Sequence, residues 1–268
     1  MNTHITFIVP IRHPDNSKKP QLAKQYLQKT LASISAQTND GWRCIVVANN
    51  GTALPEMPKQ CEVCYVDFPP NTKHSRGDLS RTDFYDAVRS DKGRRVLAGM
   101  LLEVVSAYLM VVDDDDFVHR GLCQFVSENL GKNGWYFKNG YIFGEGSNLI
   151  FAHDDFNQTC GTSLIIRRDL LDLPDKFENA DMEHVKLMLG AHVQTVGFLE
   201  KKGTPLAPLP FYGAMYRVDN VNSHSKSAAV LKKYVFNALS IKYPRSSIMR
   251  FFKLRFLTKH LKYTFFGD

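Results

Sequence analysis

Residues 107–116 read Ala-Tyr-Leu-Met-Val-Val-Asp-Asp-Asp-Asp, an apolar run that stops on four carboxylates. A short apolar run bounded by a polar block reads as a buried strand. Adjacent carboxylates repel one another, so the acidic block costs stability unless a cation or solvent offsets the repulsion. Its position matters as much as its charge, because open α/β sheets bind ligands at the carboxyl ends of their strands. Hard divalent cations such as Mg²⁺ and Mn²⁺ take one or two protein carboxylates there and complete their shell with phosphate oxygens and water. The alternative is a solvated acidic turn leading into the next helix, since Asp suits helix N-termini.

Working outward, residues 4–11 (HITFIVPI) form a second buried-strand signal, ended by Pro10 and the polar turn Arg12 to Asn16. Residues 21–37 follow a helical period that places Leu22, Tyr26, Leu27, Leu31 and Ile34 on one face. Trp42 to Ala48 is a further strand running into Asn49-Asn50-Gly51, and Cys61 to Phe68 is another, stopped by Pro69-Pro70. Strand, helix, strand, loop, strand is the opening of a parallel sheet with right-handed crossovers, so the fold class is α/β. A helix is expected over Phe84 to Val105, interrupted near Asp91-Lys92-Gly93. Trp135 to Phe143, Leu164 to Ile166 and Val193 to Leu199 read as strands, and Asp181 to Leu189 as the start of a helix.

The chain has 268 residues, 44% hydrophobic and 23% charged, a composition that excludes wholesale disorder. No stretch approaches the roughly 20 apolar residues that span a bilayer. The apolar run Ile5 to Val9 has no Lys or Arg before it and is too short for a signal-peptide core, so a cytoplasmic location is expected. Five cysteines show no framework spacing; Cys61 and Cys64 form a lone CxxC whose strand-like alternation sends the two thiols to opposite faces. The net charge of +7 is uneven: residues 231–268 hold nine Lys or Arg against one Asp. This aromatic, basic extension, expected to be helical, has two readings. It lies on an anionic membrane surface, placing the protein peripherally on the inner face, or it packs its apolar side on a catalytic domain of residues 1–230. No nucleic-acid recognition motif accompanies the charge, so nucleic acid is not an expected partner.

The sequence resembles the family 2 glycosyltransferases, which have the GT-A fold, a mostly parallel Rossmann-like central sheet flanked by helices. The resemblance lies in five ordered blocks spanning about residues 5–225: FIVPIRH with TLASISAQTNDGW and RCIVVANNG; DKGRRVLAGM with YLMVVDDDDFVHRGL; CGTSLIIRRDLL; FENADMEHVKL; and YRVDNVNSHS. It implies transfer, with inversion, of a sugar from a UDP-type nucleotide donor to a glycan or lipid-linked acceptor, assisted by Mn²⁺ or Mg²⁺. It also implies that Asp113 and Asp115 are the acidic positions of a DXD motif. Asp115 is then the direct metal ligand, Asp113 meets the ribose or a metal-bound water, and Asp116 orients or joins them. Pro10 and Arg12 would contact the nucleoside. Asn49 or Asn50 stands where an aspartate often bonds the base, although an Asn-Asn-Gly turn explains both equally. Lys92 and Arg95 would hold the nucleotide or diphosphate unless they form a solvated face. Gly161, Thr162 and Ser163 would let the backbone approach the donor sugar, or serve only as a strand entry. His224 would be a late metal ligand. Asp181 would be the general base, with Glu183 and a plain helix N-cap as the alternatives.

Two other classes stay open on the residues alone. A nucleotidyltransferase with a similar sheet would carry a Gly-rich phosphate loop near the first strand, where this chain has Val9-Pro10-Ile11-Arg12. A non-catalytic glycan- or cation-binding protein would use the acidic run only as an ion site.

Overall fold

The computed structural model describes residues 3–73, 80–102, 106–218 and 251–267. Its centre is a seven-stranded sheet of β1 (Ile5–Pro10), β2 (Trp42–Asn49), β3 (Cys61–Val66), β4 (Tyr108–Val111), β6 (Gly134–Tyr136), β9 (Leu164–Arg167) and β10 (Ala207–Pro208). The order is β10-β6-β9-β4-β1-β2-β3. The pairs β1–β2, β1–β4, β2–β3 and β6–β10 are parallel, and β9 alone runs antiparallel to its neighbours. This is the α/β, mostly parallel, GT-A-like arrangement that the resemblance implies.

The parallel strands are buried on both faces, and period-two alternation sorts their side chains. Ile5, Phe7 and Val9 of β1, with Cys44 and Val46 of β2, join one core beside α1 (Pro20–Ser35). Ile8, Ile45 and Val47 join the other, beneath α2 (Arg81–Leu101) and α4 (Met182–Met188). Cys61 and Cys64 fall on opposite faces by the same alternation, and all five cysteines are free thiols.

The helix α2 is continuous through Asp91-Lys92-Gly93, against the expected interruption. Gly93 is where α4 crosses it: a Cβ there would lie 2.9 Å from the Val185 carbonyl oxygen. Helix packing, not a break, explains that glycine.

A second, five-stranded sheet has the order β12-β8-β7-β11-β5, from β12 (Leu254–Phe256), β8 (Leu149–Asp154), β7 (Asn139–Gly144), β11 (Ala214–Val218) and β5 (Phe117–Val118). Three expectations from the sequence differ from these elements. Trp135 to Phe143 is two strands in two different sheets, β6 and β7, with the chain passing between sheets at Phe137 and Lys138. Val193 to Leu199 is no strand: α5 (Thr195–Lys201) occupies it, burying Thr195 and Leu199 four residues apart on one helical face. The end of the basic extension is not wholly helical, because β12 pairs antiparallel with β8 and fills the edge that β8 would otherwise leave open. The remaining α-helices among the described residues are the short α3 (Leu122–Glu128) and α6 (Lys259–Phe265); α6 buries Phe265 against His119 and Tyr141. No helix of the described residues is long and apolar enough to cross a membrane.

Candidate active site

The carboxyl ends of β1 and β4 open into a cleft of about 300 Å³. Pro10 and Arg12 line it from beyond β1, Lys92 and Arg95 from α2, and Asp113, Asp114 and Asp115 from beyond β4. Residues distant in sequence thus meet for the reason inferred from the strand-end position: parallel strands with crossovers on both faces end on one side. Asn71, Val88, Asp91 and Tyr216 complete the lining.

The four aspartates have four different environments. Asp113 pairs with Lys92 through a short hydrogen bond from Nζ to Oδ1. Burial would raise its carboxyl, but the charge and hydrogen bond of Lys92 hold it below the ordinary carboxylate range. Gly161 makes the pair possible, since a Cβ there would come within 2.8 Å of both the Asp113 Oδ2 and the Lys92 Nζ. Asp116 is fully buried and taken up by protein donors. Its Oδ2 accepts from the Thr162 hydroxyl (2.6 Å) and the Cys160 thiol (3.2 Å), and its Oδ1 from the Arg217 backbone N–H (3.0 Å). Burial and the neighbouring Asp113 nevertheless push it up to about 7. Asp114 is raised by burial, with Arg12 acting against the shift.

Neither the Asp114 nor the Asp115 carboxylate has a hydrogen-bond partner among the other described residues; the largest charge influence on Asp114 is Arg12, whereas on Asp115 it is the three neighbouring aspartates. Burial first, then Asp116, Asp114 and Asp113, raise Asp115 well above the ordinary value, with Arg217 opposing. A partly buried carboxylate surrounded by like charges, with no donor of its own, suits a cation.

The Gly-Thr-Ser segment supports the acidic run. Thr162 Oγ1 accepts from the Asp113 N–H (2.9 Å) while donating to Asp116, and Ser163 Oγ donates to the Cys160 carbonyl (2.6 Å). Thr162 and Ser163 are fully buried; only Gly161 reaches open space. On the opposite wall Arg95, 1% exposed, donates to Asp91 (3.1 and 3.2 Å) and to the Asn49 side-chain oxygen (2.6 Å). The Asn49 amide in turn donates to the Phe68 carbonyl (2.7 Å). Asn49 therefore orients Arg95, and Asn50 occupies the exposed turn after β2.

Asp181 caps α4: its Oδ1 accepts from the N–H groups of Glu183 (3.0 Å) and His184 (3.3 Å). It is exposed and does not line the cleft. His224 lies outside the described residues, as do residues 231–250 of the basic extension. Among the described residues no group of three or more His, Cys, Asp or Glu side chains is gathered as a metal site.

Two residues that the sequence did not single out belong to this region. His192, in the turn after α4, joins Lys92 and Gly161 around a cavity of about 30 Å³. Burial and Lys92 lower its pKa to about 4, and its Nε2 is buried without a hydrogen-bond partner. Nothing local marks a histidine at this position. Arg217, fully buried in β11, lies over the Tyr26 ring at 4.1 Å and places Nη1 3.1 Å from Glu145. Its signal was available: a lone charge inside the apolar run Ala214 to Val218.

No family model matches the sequence, and no curated protein does. Two similar solved structures are crystal structures of S. aureus TarS. The 1–349 form is 11% identical over 91% of this chain and 73% of that chain, with a TM-score of 0.44. The other is 11% identical over 91% of this chain and 44% of that chain, with a TM-score of 0.42. What the cleft binds rests on its own side chains.

Proposed function

We propose that the chain is a glycosyltransferase that moves a sugar, with inversion, from a UDP-type nucleotide donor to a glycan or lipid-linked acceptor. One observation carries this reading. A single cleft joins Arg12 and Lys92, cations suited to a diphosphate, to Asp115, a carboxylate that protein donors leave unpaired. Pro10 and Arg12 would border the nucleoside, Lys92 the diphosphate, and Gly161 the donor sugar.

The donor set fits Mn²⁺ or Mg²⁺ in part. Such ions need only one or two protein carboxylates when phosphate oxygens supply the rest, and Asp115 with Asp113 would provide them. Asp116 does not fit as a ligand, because three protein donors already occupy its oxygens. A bound ion would supply Lewis-acid neutralisation of the leaving diphosphate. The acceptor hydroxyl attacks the anomeric carbon, the bond from that carbon to the diphosphate oxygen breaks, and the hydroxyl proton passes to a carboxylate. Asp181 is the residue proposed for that last role, through the oxygen that does not cap α4.

A thermal-shift series with nucleoside diphosphates and nucleotide sugars, with and without Mn²⁺, tests the reading. Preferential stabilisation by one uridine diphosphate sugar in the presence of Mn²⁺ is expected. No stabilisation by any donor, together with no release of nucleoside diphosphate in turnover assays, would return the protein to the class of cation- or glycan-binding modules.

A further inference from the structure

The edge of the second sheet carries an unusual surface. Phe251, Phe252 and Phe256 are 58%, 69% and 74% exposed at and just before β12. Apolar rings are not normally left so open on a short edge strand. The following helix continues the pattern. Leu261 and Phe265, one turn apart, face the core of the second sheet, whereas Lys259, Lys262 and Tyr263 face outward. Tyr263 lies 3.8 Å from the Arg120 guanidinium, which adds one more cation at this edge.

The charges around these rings are mostly positive, with Asp155 the acidic residue left unpaired beside them. Arg255, Lys259 and Lys262 are exposed and enter no ion pair among the described residues. The carboxylate of Asp154 nearby is neutralised by Lys253 at 2.5 Å. Exposed aromatic rings among uncompensated cations are the side-chain set that inserts at a bilayer interface while facing anionic headgroups.

We propose that this edge is a docking surface for an anionic lipid bilayer. The rings of Phe251, Phe252 and Phe256 enter the interface, and Arg255, Lys259 and Lys262 meet the lipid phosphates. A second copy of the chain is the rival occupant, joined edge to edge through β12. It fits worse, because three-residue strands flanked by cations resist such pairing and the like charges would meet across a two-fold axis. The proposal is separate from the transferase reading: its test needs neither donor nor metal.

The experiment is flotation of the full chain with phosphatidylcholine vesicles and with mixed phosphatidylglycerol–phosphatidylcholine vesicles. Binding to the mixed vesicles only, weakened by added salt, is expected. The double variant Lys259→Ala/Lys262→Ala should lower the partition by about thirtyfold, at roughly 1 kcal/mol per surface cation. Phe251→Ser/Phe252→Ser should lower it at unchanged charge, and both variants alter exposed side chains only, so a melting temperature equal to the parent's checks the fold. Wild-type binding to neither vesicle, or variants that float like the parent, would overturn the proposal. So would a dimer in sizing columns that the Phe variants dissolve without any effect of lipid.

Discussion

Two walls of the same cleft hold buried charge in opposite ways. On the α2 wall, Asp91, Arg95 and Asn49 form a closed set in which the buried guanidinium meets acceptors on two side chains. On the β4 wall, Asp113 and Asp116 are provided for, but Asp115 is left against three like charges without a donor. A closed network is a structural wall, since removing a member would strand a buried polar or charged group. An open one stores repulsion that a ligand can relieve. The difference separates residues that shape the cleft from the residue that would work in it.

The strongest attack on this contrast is at Asp115. Asp115→Asn is expected to lower Mn²⁺-dependent donor turnover by about a thousandfold, the scale of removing a main source of charge stabilisation. The same change relieves repulsion, so its melting temperature should be equal to or above the parent's. Loss of activity together with loss of fold would make Asp115 one more structural carboxylate.

Arg95→Ala should behave in the reverse sense. It removes a buried cation and leaves the Asn49 side-chain oxygen without its donor, while Arg94 still holds Asp91, so unfolding in denaturant should show a loss of about 2 kcal/mol. A variant of parental stability would show that the α2 wall is not closed as described.

Asp181 offers a cleaner separation of roles. Asp181→Asn keeps a good N-cap and removes the proton acceptor, whereas Asp181→Ala removes both. The Asn variant is expected to lose about a hundredfold in kcat at unchanged stability, and the Ala variant to lose about 1 kcal/mol of stability besides. Parental turnover in Asp181→Asn would leave the residue as a cap and nothing more.

The smallest effect concerns pH. His119 accepts from the Gly121 N–H through Nδ1 (2.9 Å), and burial lowers its pKa from 6.5 to about 4. A lowered histidine pKa means that the unfolded chain binds the proton first. Stability should therefore fall as pH drops from about 6.5 towards 4, and be unaffected by this group above that window. Melting curves of His119→Phe should be flatter than the parent's over the same interval.

Legibility in the sequence followed how local each signal was. β1 to β4 and α1 were readable because each carries its own apolar run or period, and Asp113 to Asp115 because strand ends locate ligands, whereas Pro10, Arg12 and Lys92 came from the family resemblance. Trp135 to Phe143 misled because a change of sheet leaves the hydrophobic pattern intact. Val193 to Leu199 misled because a short apolar stretch fits strand and helix alike. Asn49 was a candidate for the base, and only the neighbouring helix shows it occupied by Arg95.

By itself the sequence determined the parallel α/β core and the placing of four carboxylates at a strand end, since both follow from short-range periodicity and charge. Only the tertiary structure decided which carboxylates acquire protein partners and which stay unpaired. That depends on Lys92, Thr162 and Arg217, which come from three other elements and acquire their partners when the chain closes around them.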